Sequence, residues 1–146
     1  EETNEMDNKS TDDLKQELMS DPDIDSYIRK NESCFVSRSV TELLTEFYER
    51  RNMTKSQLAR KSNMSEVYLH QVFAGRRKPS RNKILCMCIG MELSIEDTQR
   101  LLKEAAYAQL YPRIRREAII YHGIVHHTPL DEINDKLFEA DEKALF

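Results

Sequence analysis

The chain has 146 residues, 39% apolar and 33% charged, with a formal net charge of −4. That fits one domain of ordinary size, polar for a globular protein but short of wholly disordered composition. Its three glycines, Gly75, Gly90 and Gly123, exclude glycine-rich phosphate loops and dinucleotide fingerprints, and no apolar run reaches the roughly 18 residues of a membrane span.

No signal-peptide pattern opens the chain, and a start at Glu1 without Met fits a trimmed piece. Residues 1–33 are acidic, with 11 acids against 4 bases, and read as an N-terminal segment mobile as far as about Asp21. Leu14 and Leu18, four apart, allow a short helix there, which Asp21-Pro22-Asp23 breaks. Beyond it the chain reads as helices with short links. No segment alternates strictly enough for a strand, so the expected fold class is all-α.

Val40, Leu43, Leu44, Phe47 and Tyr48 mark one buried helical face. Thr54 N-caps a helix from Lys55 to Ser62, with Leu58 and Ala59 inward, and Asn63 takes a left-handed turn. Ser65 N-caps a second helix, Glu66 to Ala74, stopped by Gly75. Ser80 opens a third, through Ile84, Leu85, Cys88 and Ile89, which Gly90 ends. Ser94 with Asp97 resembles a capping box for a helix to about Leu110. Pro112 suits the first turn of a helix carrying Ile114, Ala118, Tyr121 and Val125. Thr128-Pro129 opens the last, with Leu130, Ile133, Leu137 and Phe138 on one face.

The charge is concentrated. Residues 50–83 hold ten bases and a single acid, Glu66, while residues 127–146 hold six acids and two bases. A basic centre between acidic ends makes the molecule dipolar, which the whole-chain charge conceals. Within the basic stretch, Met53 to Ser80 places one short helix, a tight turn at Asn63-Met64 and a second capped helix. That is helix-turn-helix spacing. Arg76-Arg77-Lys78 follow at once.

Met53-Thr54-Lys55, Leu58-Ala59, Asn63-Met64-Ser65, Leu69, Val72, Gly75, Arg77 and Pro79-Ser80 resemble, in one register, the lambda-repressor-like or Xre family of DNA-binding proteins. The resemblance spans about residues 39–95. It implies a five-helix helix-turn-helix domain at 34–95 that reads double-stranded DNA. Residues 96–146 look like the helical extension of a group of such regulators from low-GC Gram-positive bacteria, packed on or continuing the same domain. The resemblance implies base contacts by Glu66, Val67 and Gln71. A glutamine reads adenine bidentately, a glutamate accepts from a cytosine amino group, and a valine meets a thymine methyl. Phosphate-contacting or nearby candidates are Lys55, Ser65, Tyr68, His70, Arg76, Arg77, Lys78, Arg81 and Lys83. Lys55 stands where the family usually has Gln, Asn63 where it has Gly, and Phe73 where it often has Glu. An apolar Phe73 points to extra packing against the carboxy-terminal helices.

Cys34, Cys86 and Cys88 read as buried free thiols, the last two facing different sides of a helix. His122 and His126 are four apart with His127 beside them, but the intervening residues lack the Glu of a metalloprotease motif. The expectation is no metal, no cofactor, no catalytic constellation and no enzymatic activity. The expected function is a bacterial transcription regulator, repressor rather than activator, in the cytoplasm at the nucleoid. One recognition helix reads few base pairs, so a homodimer on DNA is expected, with the carboxy-terminal helices as the place for a protein partner. The competing reading is a protein-interaction adaptor on a helix-turn-helix scaffold, which would have no need to concentrate so many bases in residues 50–83.

Overall fold

The computed structural model describes residues 9–32 and 39–146; Cys34 and the first eight residues of the acidic segment lie outside the described residues. The chain divides into two compact units, residues 1–38 and residues 39–146. Every regular element among the described residues is helical.

The first unit holds α1 (Thr11–Ser20) and α2 (Ile24–Lys30). Helix α1 starts in a capping box, with Ser10 Oγ accepting from Asp13 N–H and the Asp13 carboxylate accepting from Ser10 N–H. The short helix allowed by Leu14 and Leu18 is therefore present. Helix α2 was not expected, because Asp23 reads as part of a break and instead caps the new helix by accepting from Asp25 N–H. Lys9 Nζ donates to Glu17 at 3.0 Å and to Asn31 Oδ1 at 2.7 Å. The bond from Lys9 is the main reason the Glu17 carboxyl lies below its ordinary value.

The second unit holds α3 (Ser39–Glu49), α4 (Lys55–Lys61), α5 (Glu66–Phe73), α6 (Arg81–Gly90), α7 (Ile95–Glu104), α8 (Arg115–Val125) and α9 (Leu130–Glu139). Helix α6 is buried along its whole apolar run, Ile84 to Gly90, and α4, α7, α8 and α9 all pack on it. Val40, Leu43, Leu44 and Phe47 of α3, Leu58 and Ala59 of α4, and Leu69 and Val72 of α5 fill the same core. Cys86 and Cys88 are buried there, and burial pushes their thiols up to about 11 and about 12.

Side-chain oxygens set most helix starts. Thr54 forms a full capping box with Gln57, and Ser65, Ser80 and Ser94 each accept from the N–H three residues on. Ser94 caps alone, since no return bond from Asp97 is formed among the described residues.

All six helices from α4 to α9 end in the same device. A left-handed residue follows the C-cap, and the next N–H reaches back over the last turn, as Met64 N to Ala59 O at 2.9 Å and Thr128 N to Gly123 O at 2.8 Å. Asn63 and Gly75 fill this position as expected, but Glu92, Ala106, His127 and Asp141 fill it too. Two expected ends are therefore corrected. Gly90 lies inside α6, and the chain turns at Glu92; α7 stops at Glu104 rather than near Leu110, and turns at Ala106. A left-handed alanine costs about 1–2 kcal/mol that glycine does not. Ala106→Gly is therefore expected to raise stability in urea by about 1 kcal/mol; a loss of stability would show that the Ala106 methyl contributes more than its backbone costs.

The last two helices also correct the reading. Helix α8 begins at Arg115 with Ile114 as N-cap, and Pro112 lies in the turn ahead. Its buried residues are Glu117, Ile120, Gly123 and Ile124, while Ile114 and Val125 are exposed. Leu130, Ile133 and Leu137 of α9 are buried as expected, but Phe138 is 82% exposed.

Candidate nucleic-acid interface

Helices α4 and α5 are joined by Ser62 to Ser65, with Asn63 left-handed (φ 54°). Leu58, Ala59, Leu69 and Val72 bury the facing sides, and Met64 packs against them half-buried. At about 100° per residue, that burial turns the opposite side of α5 outward. Glu66, Val67, His70 and Gln71 share the outward side, all exposed except half-buried Gln71. Val67, 69% exposed, is an apolar side chain that finds no core.

The cations gather around this face. Of Lys55, Arg76, Arg77, Lys78, Arg81 and Lys83, only Arg81 is ion-paired among the described residues. Four of the others lie over aromatic rings. Lys55 Nζ is 5.0 Å from the Tyr48 ring centre and 4.8 Å from that of Phe73. Arg77 and Lys83 share Tyr68, at 5.3 and 5.5 Å, and Lys78 lies 5.2 Å from Tyr107. An aromatic face holds a cation in place without neutralising it. Arg76 is exposed without a partner among the described residues. Arg77 also donates to Gln71 Oε1 at 3.3 Å, tying a loop cation to the candidate base reader. Tyr68 is half-buried beneath its two cations; burial pushes its phenol above the ordinary value, and the Arg77 charge opposes that rise. Ser65 caps α5, accepting from Tyr68 N–H at 3.1 Å.

Arg81 is used differently from its neighbours. Its guanidinium donates to both oxygens of Glu117, at 2.6 and 3.0 Å, and to the carbonyls of Ala108 and Gln109. These bonds occupy the donors a phosphate would need. Phe73 packs on Tyr48 of α3, ring centres 5.1 Å apart, rather than on the carboxy-terminal helices; a ring at the end of α5 meets the side of α3 first. Tyr107 is the residue that sequence reasoning missed. It supports Lys78 and donates its hydroxyl to Pro79 O at 2.8 Å across 28 residues of chain, and no local pattern marks such a contact.

His122 and His126 are exposed with rings 4.2 Å apart, and His127 takes the left-handed turn after α8. Among the described residues, no three His, Cys, Asp or Glu side chains gather as a metal site would require, and no helix is long and apolar enough to cross a membrane. The chain matches no model of a known family, no curated protein and no solved structure.

Proposed function

We propose that this protein is a sequence-specific double-stranded DNA-binding transcription regulator, with α5 as the recognition helix of a helix-turn-helix. One observation carries the reading. An exposed helix face bearing Glu66, Val67 and Gln71 is bordered by Lys55, Arg76, Arg77, Lys78 and Lys83, none of which is ion-paired among the described residues. Like charges repel, so collecting them on one surface with Glu66 as the single acid of residues 50–83 costs stability, and a polyanion bound there recovers it. Gln71 reads a base, held by Arg77, while Lys55 and the loop cations take phosphates. A homodimer would supply the second half-site.

The test separates phosphate binding from base reading. Arg77 stays in place because it holds Gln71. Arg76→Ala with Lys78→Ala is expected to weaken binding to all duplexes alike and to flatten the salt dependence by about 2 in log–log slope. Gln71→Ala is expected to cost about 1–3 kcal/mol on the preferred site selected from a random library, with little change on random duplex. Duplex binding without salt dependence, or none, would overturn the proposal. The adaptor reading would then take its place, with the 82%-exposed Phe138 as the first contact to probe.

A further inference from the structure

Residues 105–116 contain no acid and three arginines, Arg113, Arg115 and Arg116. This segment is fastened along the loop that carries Arg76 to Lys78. Tyr107 bonds Pro79 O and supports Lys78; Arg81 reaches the carbonyls of Ala108 and Gln109. Glu117 accepts from both Arg81 and Tyr111 N–H, at 2.6 and 3.3 Å. Arg116 binds Asn82 Oδ1 at 3.1 Å. Loop and segment therefore form one continuous strip, and the acid that directly follows it, Glu117, has a side chain 8% exposed and consumed by Arg81 and Arg116.

Arg113 and Tyr111 are side chains of the segment that no neighbour uses among the described residues. Arg113 is exposed and makes no ion pair or hydrogen bond among the described residues, and Tyr111 beside it is 53% exposed. The three arginines also crowd the amino-terminal end of α8, where the helix dipole disfavours positive charge. An anion beside Arg113 relieves that crowding. Arg115 has another direction. It lies about 200° around the helix from Glu117 and lines the groove between α8 and α9 with His122, Lys136 and Glu139.

We infer that the segment after α7 is part of the DNA-binding surface, with Arg113 as a further phosphate contact and Tyr111 as a neutral donor beside it. This inference rests on the proposal that the chain binds duplex DNA. It assigns the carboxy-terminal extension a direct role: it holds the basic loop in place and lengthens the strip of cations along the phosphate backbone.

The experiment measures the affinity of the full chain for random-sequence duplex against salt. Arg113→Ala is expected to lower the log–log slope by about 0.9, the value of one phosphate contact, and Arg113→Lys to restore it. Arg115→Ala, a loss of the same charge from the groove between α8 and α9, is expected to leave the slope within error of wild type. A wild-type slope in Arg113→Ala, with the slope of the Arg76→Ala, Lys78→Ala variant reduced, overturns this inference and leaves the DNA reading standing. Equal losses from Arg113→Ala and Arg115→Ala also overturn it, since they mean general charge rather than a contact. A full chain that binds no duplex overturns both.

Discussion

Replacing Glu117 with alanine is expected to lower the unfolding free energy by about 2–3 kcal/mol. The carboxylate accepts two hydrogen bonds from Arg81 and one from Tyr111 N–H, and Arg116 lies 3.8 Å away. Its side chain is 8% exposed and that of Arg81 is 23% exposed. Breaking a fully buried pair costs about 3–5 kcal/mol, because the remaining charge is stranded. Water reaches part of the Arg81 side chain, which trims the expected cost. Glu117→Gln keeps the shape and one acceptor, so it should lose about half as much. Urea melts of the three proteins measure the difference; a loss below about 0.5 kcal/mol for the alanine variant would place the pair with solvent-screened surface bridges.

The same pair predicts a pH dependence. Burial pushes the Glu117 carboxyl up, but the Arg81 hydrogen bonds and charge, the Tyr111 N–H and Arg116 together hold it below its ordinary value of 4.5. A carboxyl lowered on folding stabilises the fold fully above its ordinary value. That contribution is lost as pH falls through the lowered one. The stability gap between wild type and Glu117→Ala should stay constant above about pH 5 and narrow only below about pH 4.5. A gap that closes near neutral pH would point to another titrating group.

Glu117 also shows where the sequence stops being legible. A buried face is read from apolar spacing, and Ile114, Ala118, Tyr121 and Val125 offer such a spacing on α8. The structure instead buries the stripe through Glu117, Ile120 and Ile124, because Arg81, 36 residues earlier, neutralises the acid. Helix starts were legible because the capping oxygens of Thr54, Ser65, Ser80 and Ser94 act within three residues. Helix ends were less so, since Glu92 and Ala106 take a conformation that favours glycine; tertiary packing holds them there at some local cost. For the candidate interface, the helical period already puts Glu66, Val67 and Gln71 on one side. The support from Tyr107 and the capture of Arg81 by Glu117 are contacts across 28 and 36 residues, beyond any local pattern.

Gly90→Ala is expected to destabilise the protein by up to about 2 kcal/mol, and Ser62→Ala is expected to reverse most of that loss. Gly90 lies in the last turn of α6, against the end of α4. A Cβ there would collide with Ser62 Oγ and stand 3.2 Å from Leu58 Cδ1 and 3.3 Å from the Lys61 carbonyl carbon. The glycine is thus needed for close approach of two helices, not for ending one. Alanine in a helix gains about 1 kcal/mol over glycine, but overpacking at the Ser62 oxygen costs about 1–3 kcal/mol and outweighs it. The Ser62 hydroxyl is itself buried without a hydrogen-bond partner among the described residues. Removing it alone relieves an unpaired polar group, so Ser62→Ala should be neutral or stabilising by up to about 1 kcal/mol. In the double variant the closest clash is gone and the helix-forming gain remains. The two changes should therefore be coupled by about 1–2 kcal/mol in the favourable direction, read from urea melts of all four proteins. Additive effects would mean that the Lys61 backbone and Leu58, not Ser62, limit how near α6 can approach α4, and that α4 must shift to admit the methyl. In that case the Gly90→Ala variant should also lose affinity for duplex DNA, because α4 sets the position of Asn63 and hence the start of α5.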